Sequence, residues 1–139
     1  MKMKICLDHG ASVAPKRAHK TDAGLDLFSI CDWTIPAYGV SVFDTGVHVQ
    51  IPEGHVGFIK SKSSLMLEGL TTDGTIDCGY IGSIRVVLFN HSSKDYEVKT
   101  GQKIAQLVIL PIITPEIEIV GHLDKTERGD GGFGSTGKF

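Results

Sequence analysis

Residues 73–82, with the sequence DGTIDCGYIG, hold an aspartate and a tyrosine in a bend that is rich in glycine. A lone aspartate in a tight site can act as a general base, and glycine lets the backbone approach a ligand closely. The Asp-Gly pair that opens the segment is a hairpin-turn signal, so Asp77 and Tyr80 are expected in a bend beside a buried strand. The alternative is that Asp77 is a turn aspartate bonded to its own backbone.

Two other segments carry groups that suit a phosphate. Residues 61–64, Ser-Lys-Ser-Ser, come directly before a short helical pattern, and free N–H groups at a helix start, hydroxyls and a lysine bind phosphate oxygens. Residues 128–137, RGDGGFGSTG, combine glycines with hydroxyls as phosphate-binding nests do, but they lack the ending of a Walker motif. The alternatives are an ordinary helix cap and a mobile tail, although Phe133 is unusual in such a tail.

Two polar residues lie within otherwise apolar runs. Asp26 is flanked by leucines, and Gln106 interrupts the apolar residues that follow Lys103. A buried polar side chain needs hydrogen-bond partners. For both residues the sequence leaves open whether these partners belong to the protein or to a ligand.

The elements that would position these residues are predicted to be short strands. Apolar and polar residues alternate over residues 47–51 and 116–119. Residues 84–89 are apolar on both faces apart from Arg85, which is typical of a central strand, and residues 104–110 are expected to form another buried strand. Only residues 63–69 look helical, with a serine as N-cap and a left-handed glycine at the end. No repeat or linker divides the chain. We therefore predict an all-β protein, a single β-barrel or jelly roll with one short helix.

The composition excludes several classes of protein. The 139 residues are 41% hydrophobic and 22% charged, which fits one ordinary core, and a net charge of −2 argues against a nucleic-acid binder. The longest apolar stretch, residues 104–113, is too short to span a bilayer, so we expect a cytoplasmic protein with no membrane partner.

Scattered histidines and three cysteines without a CxxC pattern disfavour protein-bound zinc. Cys78 is interpreted as a bystander because the sequence implies no histidine beside it.

Taken in order, five segments resemble the five motifs of the trimeric dUTPase family: AGLDL (23–27), SKSS (61–64), GTIDCGYIG (74–82), GQKIAQL (101–107) and RGDGGFGSTG (128–137). The third and fifth motifs are highly specific, and together the five span nearly the whole chain. The resemblance implies a jelly-roll-like β-barrel domain at residues 1–127 and a flexible, glycine-rich C-terminal arm at residues 128–139. It also implies a homotrimer with three shared active sites, in which the arm of one subunit closes over a site formed by the other two.

The resemblance also assigns roles around the nucleoside. Asp77 would be the general base that activates the attacking water. Tyr80 would pack on the deoxyribose, which leaves a ribose hydroxyl neither space nor a partner. The backbone around Gly74, Thr75 and Ile76 would bond the edge of uracil, with donors and acceptors that do not fit cytosine.

The remaining roles that the resemblance implies concern the phosphates and the arm. Residues that would hold the phosphates or line the same region are Lys62, Ser63, Ser64, Gln106, Thr71 and Arg85. Residues of the arm that would close the site are Arg128, Phe133, Gly134, Ser135 and Thr136. Phe133 would stack on uracil, while Ser135 and Thr136 would bind the γ-phosphate.

The implied reaction is the hydrolysis of dUTP to dUMP and pyrophosphate, which limits uracil in DNA and supplies dUMP. Mg²⁺ would be held mainly by the three phosphates and by water, and Asp26 would orient that water rather than ligate the ion. Water held by Asp77 would attack the α-phosphorus in line with the departing pyrophosphate.

Two positions depart from the family pattern. The second motif usually reads Pro-Arg-Ser, and Lys62 keeps the positive charge of the arginine but loses its bidentate fork. Thr75 stands where a small aliphatic residue is usual, which a backbone contact should tolerate.

Two other functions are open to a chain with these motifs. A dCTP deaminase shares the fold and much of the third motif, but Val87 stands where its catalytic glutamate would lie. A regulatory or nucleotide-sensing protein on the same fold would need an exposed insertion, or would have lost Asp77 or the arm. The chain shows no obvious insertion, and both features are present.

Overall fold

The computed structural model describes residues 1–8 and 10–139 of the chain, and its regular elements are almost all strands. In chain order these elements are β1 (Lys4–Leu7), β2 (Gly24–Phe28), β3 (Trp33–Ile35), β4 (Val40–Gln50), β5 (His55–Lys60), α1 (Ser63–Leu67), β6 (Leu70–Thr71), β7 (Asp73–Ile76), β8 (Ser83–Asn90), β9 (Tyr96–Val98) and β10 (Lys103–Pro111). Within the described residues, no helix is long and apolar enough to cross a membrane.

Two four-stranded antiparallel sheets enclose the core. One sheet has the order β1-β4-β8-β6 and the other the order β2-β10-β5-β7, with β3 and β9 forming a small additional sheet. Side chains from both sheets meet in a single cluster, among them Phe43 and Val86 from one sheet and Leu27, Ile59 and Leu107 from the other. The predicted all-β fold is confirmed, and β8 and β10 are central strands as expected.

Strand β4 contains a bulge between Asp44 and His48. Its register against β8 shifts between Asp44 and His48, and Gly46 has a φ of 62°. The buried Thr45 holds the bulge, since its hydroxyl donates to Ile84 O at 2.8 Å and accepts from Val47 N at 3.2 Å. A bulge of this kind bends the strand and redirects the side chains on either side of it.

The start of α1 differs from the prediction that a serine caps the helix. The N-cap residue is Lys62, and no side chain caps the helix. Ser61 is unavailable because its hydroxyl donates to Thr72 O at 2.9 Å and accepts from Thr72 N at 2.8 Å. The C-terminal glycine is confirmed, because Gly69 has a φ of 86°.

Two further predictions about local structure were wrong. Asp73 and Gly74 lie inside β7 rather than in a turn, because they pair with Lys60 and Ile59 of β5. The turn lies later, at residues 77–82, between β7 and β8. Residues 116–119 alternate as a strand would, but within the described chain they have no strand partner, and they remain exposed.

We expect Thr45→Val to lower the free energy of unfolding by about 1–3 kcal/mol, because it leaves a buried N–H and a carbonyl without their partner. Urea denaturation at fixed protein concentration measures the change. Thr34→Val, the same substitution at an exposed position of β3, is the control and should be nearly neutral. An equal effect at both positions would contradict this account of the bulge.

Candidate active site

The turn between β7 and β8 carries Asp77 and Tyr80 at a shallow pocket of about 260 Å³. Thr75, Ile76 and Arg85 complete its lining. Strand β7 lies at the edge of its sheet, so backbone groups around Thr75 have no strand partner on the outer side in the described chain. This end of the molecule therefore combines an exposed carboxylate, an aromatic ring and free peptide groups.

Tyr80 is held in place by its neighbours. Its hydroxyl donates to Ser83 O at 2.9 Å, and its N–H donates to Asp77 O at 3.0 Å. The ring also lies against Gly82, where an added Cβ would approach the tyrosine oxygen to 2.4 Å. The ring is still 44% exposed, so it can pack on a ligand without losing these contacts.

A second cluster contains a buried carboxylate between two lysines. Asp26, in β2, is 5% exposed. Its Oδ1 accepts from Lys62, and its Oδ2 accepts from Lys103 at 2.8 Å. Burial alone would raise the pKa of Asp26, but the hydrogen bonds and charges of Lys103 and Lys62 outweigh it and leave the pKa below its usual value. The cluster thus carries two cations for one anion, which suits a polyphosphate.

Gln106 belongs to this second cluster. It pairs in register with Asp26 on one side and Lys60 on the other, and its Nε2 donates to Ser61 O at 3.0 Å. Gly24 makes room for it, because a Cβ there would come within 2.1 Å of Gln106 Oε1.

The hydroxyl residues near this cluster differ in accessibility. Ser63 and Ser64 are exposed in the first turn of α1, where backbone N–H groups lack helical partners. Thr71 lies close by in β6 and contacts His91 Nε2 through its hydroxyl at 2.7 Å.

Lys103 is the residue of this cluster to which the sequence analysis gave no role. It stands in the fourth motif, three positions before Gln106. The sequence signal that could have identified it is a lysine at the start of an apolar strand. Its contact with Asp26 depends on the pairing of β2 with β10, which spans most of the chain.

The two clusters lie at opposite ends of the β5–β7 pair. Ile76, which precedes Asp77, pairs with Gly57, whereas Lys62 lies beyond the other end of β5. Lys62 is five positions further along than Gly57, which corresponds to about 17 Å at the rise of a strand. One described chain therefore brings Asp77, Tyr80 and Arg85 together, and separately brings Asp26, Lys62 and Gln106 together, but it does not unite the two groups.

The C-terminal segment lies apart from both clusters. Beyond Ile112, whose N–H donates to Gly54 O at 2.9 Å, the hydrogen bonds of the described segment are internal. Arg128 Nε, for example, donates to Gly131 O at 2.9 Å. The predicted arm residues are exposed, and Phe133 is fully so: Arg128, Phe133, Gly134, Ser135 and Thr136.

The donor set favours a metal ion that is carried by a ligand. The described residues contain no group of three or more His, Cys, Asp or Glu side chains that could hold an ion by themselves. Asp26 has lysines on both oxygens, so it fits an outer role toward a hydrated ion better than direct ligation. Mg²⁺ keeps several waters and binds readily to phosphates in this way.

Comparisons with known proteins agree with this architecture. The dUTPase family model matches residues 11–137. The deoxyuridine 5'-triphosphate nucleotidohydrolase of Gloeothece citriformis is 43% identical over 141 aligned positions, covering 99% of this chain and 97% of that protein. The dUTPase of Staphylococcus bacteriophage 80alpha, solved as a mutant with dUpNHpp, has a TM-score of 0.93 and 32% identity, with 99% of each chain covered.

A second solved structure bears on the metal. A mutant dUTPase from phage phi11 of S. aureus, described with a structural Mg(II) ion, has a TM-score of 0.82 and 31% identity, covering 88% of this chain and 98% of that one. The present chain belongs to the dUTPase family. The fold and the family that the motifs implied are thereby confirmed.

We expect Asp26→Asn to destabilise the protein by about 1–3 kcal/mol at neutral pH, because a hydrogen-bonded charge between two lysines is lost. The pKa of Asp26 is lowered in the folded chain, so its contribution to stability is present above the unfolded pKa and is lost as the pH falls through the folded pKa. The difference in unfolding free energy between the two proteins should therefore shrink below about pH 5.

Asp73→Asn is a matched control, because Asp73 also pairs with a lysine, Lys60 at 2.5 Å, but is exposed. Exposed pairs of this kind contribute about 0–1 kcal/mol. Chemical denaturation of all three proteins between pH 3 and 8 makes the comparison. A cost of Asp26→Asn that stays constant with pH would contradict a charged Asp26.

Proposed function

We propose that this chain hydrolyses dUTP to dUMP and pyrophosphate with Mg²⁺, in active sites that are shared between the subunits of a homotrimer. The dUTP diphosphatase activity rests on family membership. The observation that carries the site assignment is the pocket at the β7–β8 turn, where Asp77, a held Tyr80 and the free edge of β7 come together. Such an enzyme limits uracil in DNA and supplies dUMP.

The nucleoside would bind at the first cluster. The outer edge of β7 around Gly74, Thr75 and Ile76 offers peptide donors and acceptors to the uracil edge, and a threonine side chain at position 75 leaves these groups unchanged. Tyr80 would cover the deoxyribose. Because its ring is fixed by Ser83 and Gly82, it would not move aside for a 2′-hydroxyl, and UTP is rejected.

The triphosphate would bind at the second cluster. Lys62 and Lys103 supply positive charge, Gln106 supplies an amide donor, and Ser63 and Ser64 lie at the open start of α1. Lys62 is bonded to Asp26. Lys103 holds the other oxygen of Asp26, so it keeps that carboxylate paired when Lys62 turns toward a phosphate.

In the reaction, a water molecule donates a proton to the Asp77 carboxylate as its oxygen bonds to the α-phosphorus. The bond from the α-phosphorus to the bridging oxygen breaks, and pyrophosphate leaves with that oxygen. Magnesium bound by the phosphates would neutralise the developing charge. Asp26 and the lysines around it would position the hydrated triphosphate for this attack.

The separation of the two clusters within one chain supports subunit sharing. Gly57, which pairs with Ile76 next to Asp77, lies about 17 Å along the chain direction from Lys62, and this separation disfavours one nucleotide reaching both clusters of the same chain. A second copy can supply the missing cluster. Residues of β4 and β8 offer a surface for it, because Val40, Val42 and Phe89 are exposed on neighbouring strands in register.

The C-terminal segment supports the same assembly. Ile113, Ile117, Ile119 and Leu123 are each at least 84% exposed, and leaving such side chains in water forgoes about 1.5–3 kcal/mol apiece. A segment that is apolar yet unpacked on its own barrel is suited to pack on another copy. Residues 128–139 would then reach a neighbouring site, where Phe133 stacks on uracil and the hydroxyls of Ser135 and Thr136 bind the γ-phosphate.

The base is tested by pyrophosphate release from dUTP, dCTP, dTTP and UTP with Mg²⁺. We expect release from dUTP alone, and Asp77→Asn should lower kcat about 10²–10⁴-fold because an amide cannot accept the proton of water. Undiminished release by the variant would exclude Asp77 as the base. No release from any nucleotide would leave a nucleotide-binding or regulatory protein on this fold.

Subunit sharing is tested by mixing two inactive chains. Asp77→Asn leaves the second cluster unchanged, and the double variant Lys62→Met/Gln106→Ala leaves Asp77 unchanged. If each site takes one cluster from each of two copies, co-refolding equal amounts should restore about one quarter of the sites by random assortment. The separately refolded variants are the controls. Mixtures that stay inactive, although native mass spectrometry shows mixed trimers, would contradict shared sites.

A further inference from the structure

His48 connects the N-terminal strand to the turn that carries Asp77. Its Nδ1 lies 2.8 Å from Ile81 O, in the 77–82 turn. Its Nε2 lies 2.7 Å from Asp8 Oδ1, just beyond β1. The side chain is 28% exposed. A single ring thus bridges β1 and the turn.

The protonation of this ring follows from its two partners. A backbone carbonyl and an ionised carboxylate only accept hydrogen bonds, so both contacts form only when both ring nitrogens donate. A neutral imidazole has one N–H and can make just one of them. The geometry around His48 is therefore that of an imidazolium.

The bulge in β4 adds a second anchor for the same turn. Asp44, on the other side of the bulge, accepts from the Ser83 hydroxyl and from Gly46 N at 2.9 Å. Ser83 also accepts from Tyr80 through its carbonyl. The two residues that flank the bulge thus anchor the end of the turn: His48 bonds to Ile81, and Asp44 bonds to Ser83 at the start of β8.

The charged and titratable groups around His48 carry both signs, and Lys4 of β1 lines the same pocket as His48 and Asp8. Asp8 beyond β1 and Asp44 in β4 both act on it. On β8, Arg85 pairs in register with Asp44, and on β1, Cys6 pairs in register with His48 itself. The bond to Ile81, followed by that to Asp8, raises the pKa of His48 above its usual value. Asp44 adds to this increase.

We propose that His48 is a positioning residue for the reaction: held by Asp8, it fixes the Ile81 carbonyl and through it the places of Asp77 and Tyr80. This inference rests on the proposed function, because it concerns the same turn. His48 is not among the residues that line the pocket of Asp77 and Tyr80. It acts by restricting the conformations of the 77–82 turn. Asp77 and Tyr80 must be positioned accurately, because small displacements of reacting groups lower the rate.

A dependence on pH follows from the two bonds. Below the pKa of folded His48 both bonds are present. As the pH rises through that raised pKa the ring keeps one proton, and one of the two bonds is lost. The turn should then become less ordered at alkaline pH.

The test compares the unchanged chain with His48→Gln from pH 5.5 to 9.5. Glutamine donates from one nitrogen and does not titrate. At low pH we expect kcat/KM for dUTP to fall about tenfold in the variant, the size expected for one hydrogen bond. At high pH the two proteins should converge, because histidine then also donates only once. His19→Gln, at an exposed ring without a hydrogen bond in the described chain, is the matched control and should show no loss.

Asp8→Asn separates charge from geometry. Asparagine keeps an acceptor oxygen but removes the negative charge, so the pKa of His48 should fall and the point of convergence should move to lower pH. NMR titration of the His48 ring without nucleotide measures the same shift independently of activity. Restored titration behaviour in Asp8→Glu would show that the charge is responsible.

The outcomes are distinct. A ratio of wild-type to His48→Gln activity that is constant with pH, or close to one, would overturn the inference while leaving dUTP hydrolysis intact. A His48 titration that does not change in Asp8→Asn would also overturn it. No hydrolysis of dUTP by the unchanged chain would overturn the proposed function and this inference together.

Discussion

The pairing of β5 with β7 is the constraint on which the rest of the site depends. Antiparallel register gives each residue of one strand a single opposite partner, so the pairing of Gly57 with Ile76 also determines which end of the sheet receives Asp77. The second cluster lies at the other end of β5, because Gln106 of β10 stands opposite Lys60 of β5 and Asp26 of β2. Strand pairing therefore keeps the two clusters apart within one chain.

The two clusters are stabilised in different ways. Around Asp26 the stabilisation is electrostatic, because the buried carboxylate pairs with a lysine at each oxygen. Around Asp77 it is mainly steric and hydrogen-bonded, since Tyr80 rests on Gly82 and Ser83, and His48 holds the turn from outside. Salt and pH should therefore act on the two clusters through different groups.

Much of this arrangement could be predicted from the sequence, and the parts that could not share a physical reason. The alternating and uniformly apolar runs predicted β4, β8 and β10 because burial on one or both faces leaves a local pattern. The five motifs predicted the family, which the match of the family model to residues 11–137 confirms. The turn assigned to Asp73 and Gly74 was wrong because pairing with β5 overrides a local preference. The capping serine was wrong because Ser61 bonds to Thr72 instead. The role of Lys103 and the bridge through His48 depend on contacts distant in sequence, which no local pattern encodes.

The packing of Tyr80 on Gly82 limits how this site can evolve. Gly82 does not have a positive φ, so its backbone conformation is open to other residues. What excludes a side chain is the ring above it, because a Cβ would lie 2.4 Å from the tyrosine oxygen. Even the smallest replacement must therefore displace the aromatic ring from its place over the turn. Any constraint on the Tyr80 ring thus also acts on a residue with no side chain of its own, and a side chain at position 82 requires a displaced or smaller residue at position 80.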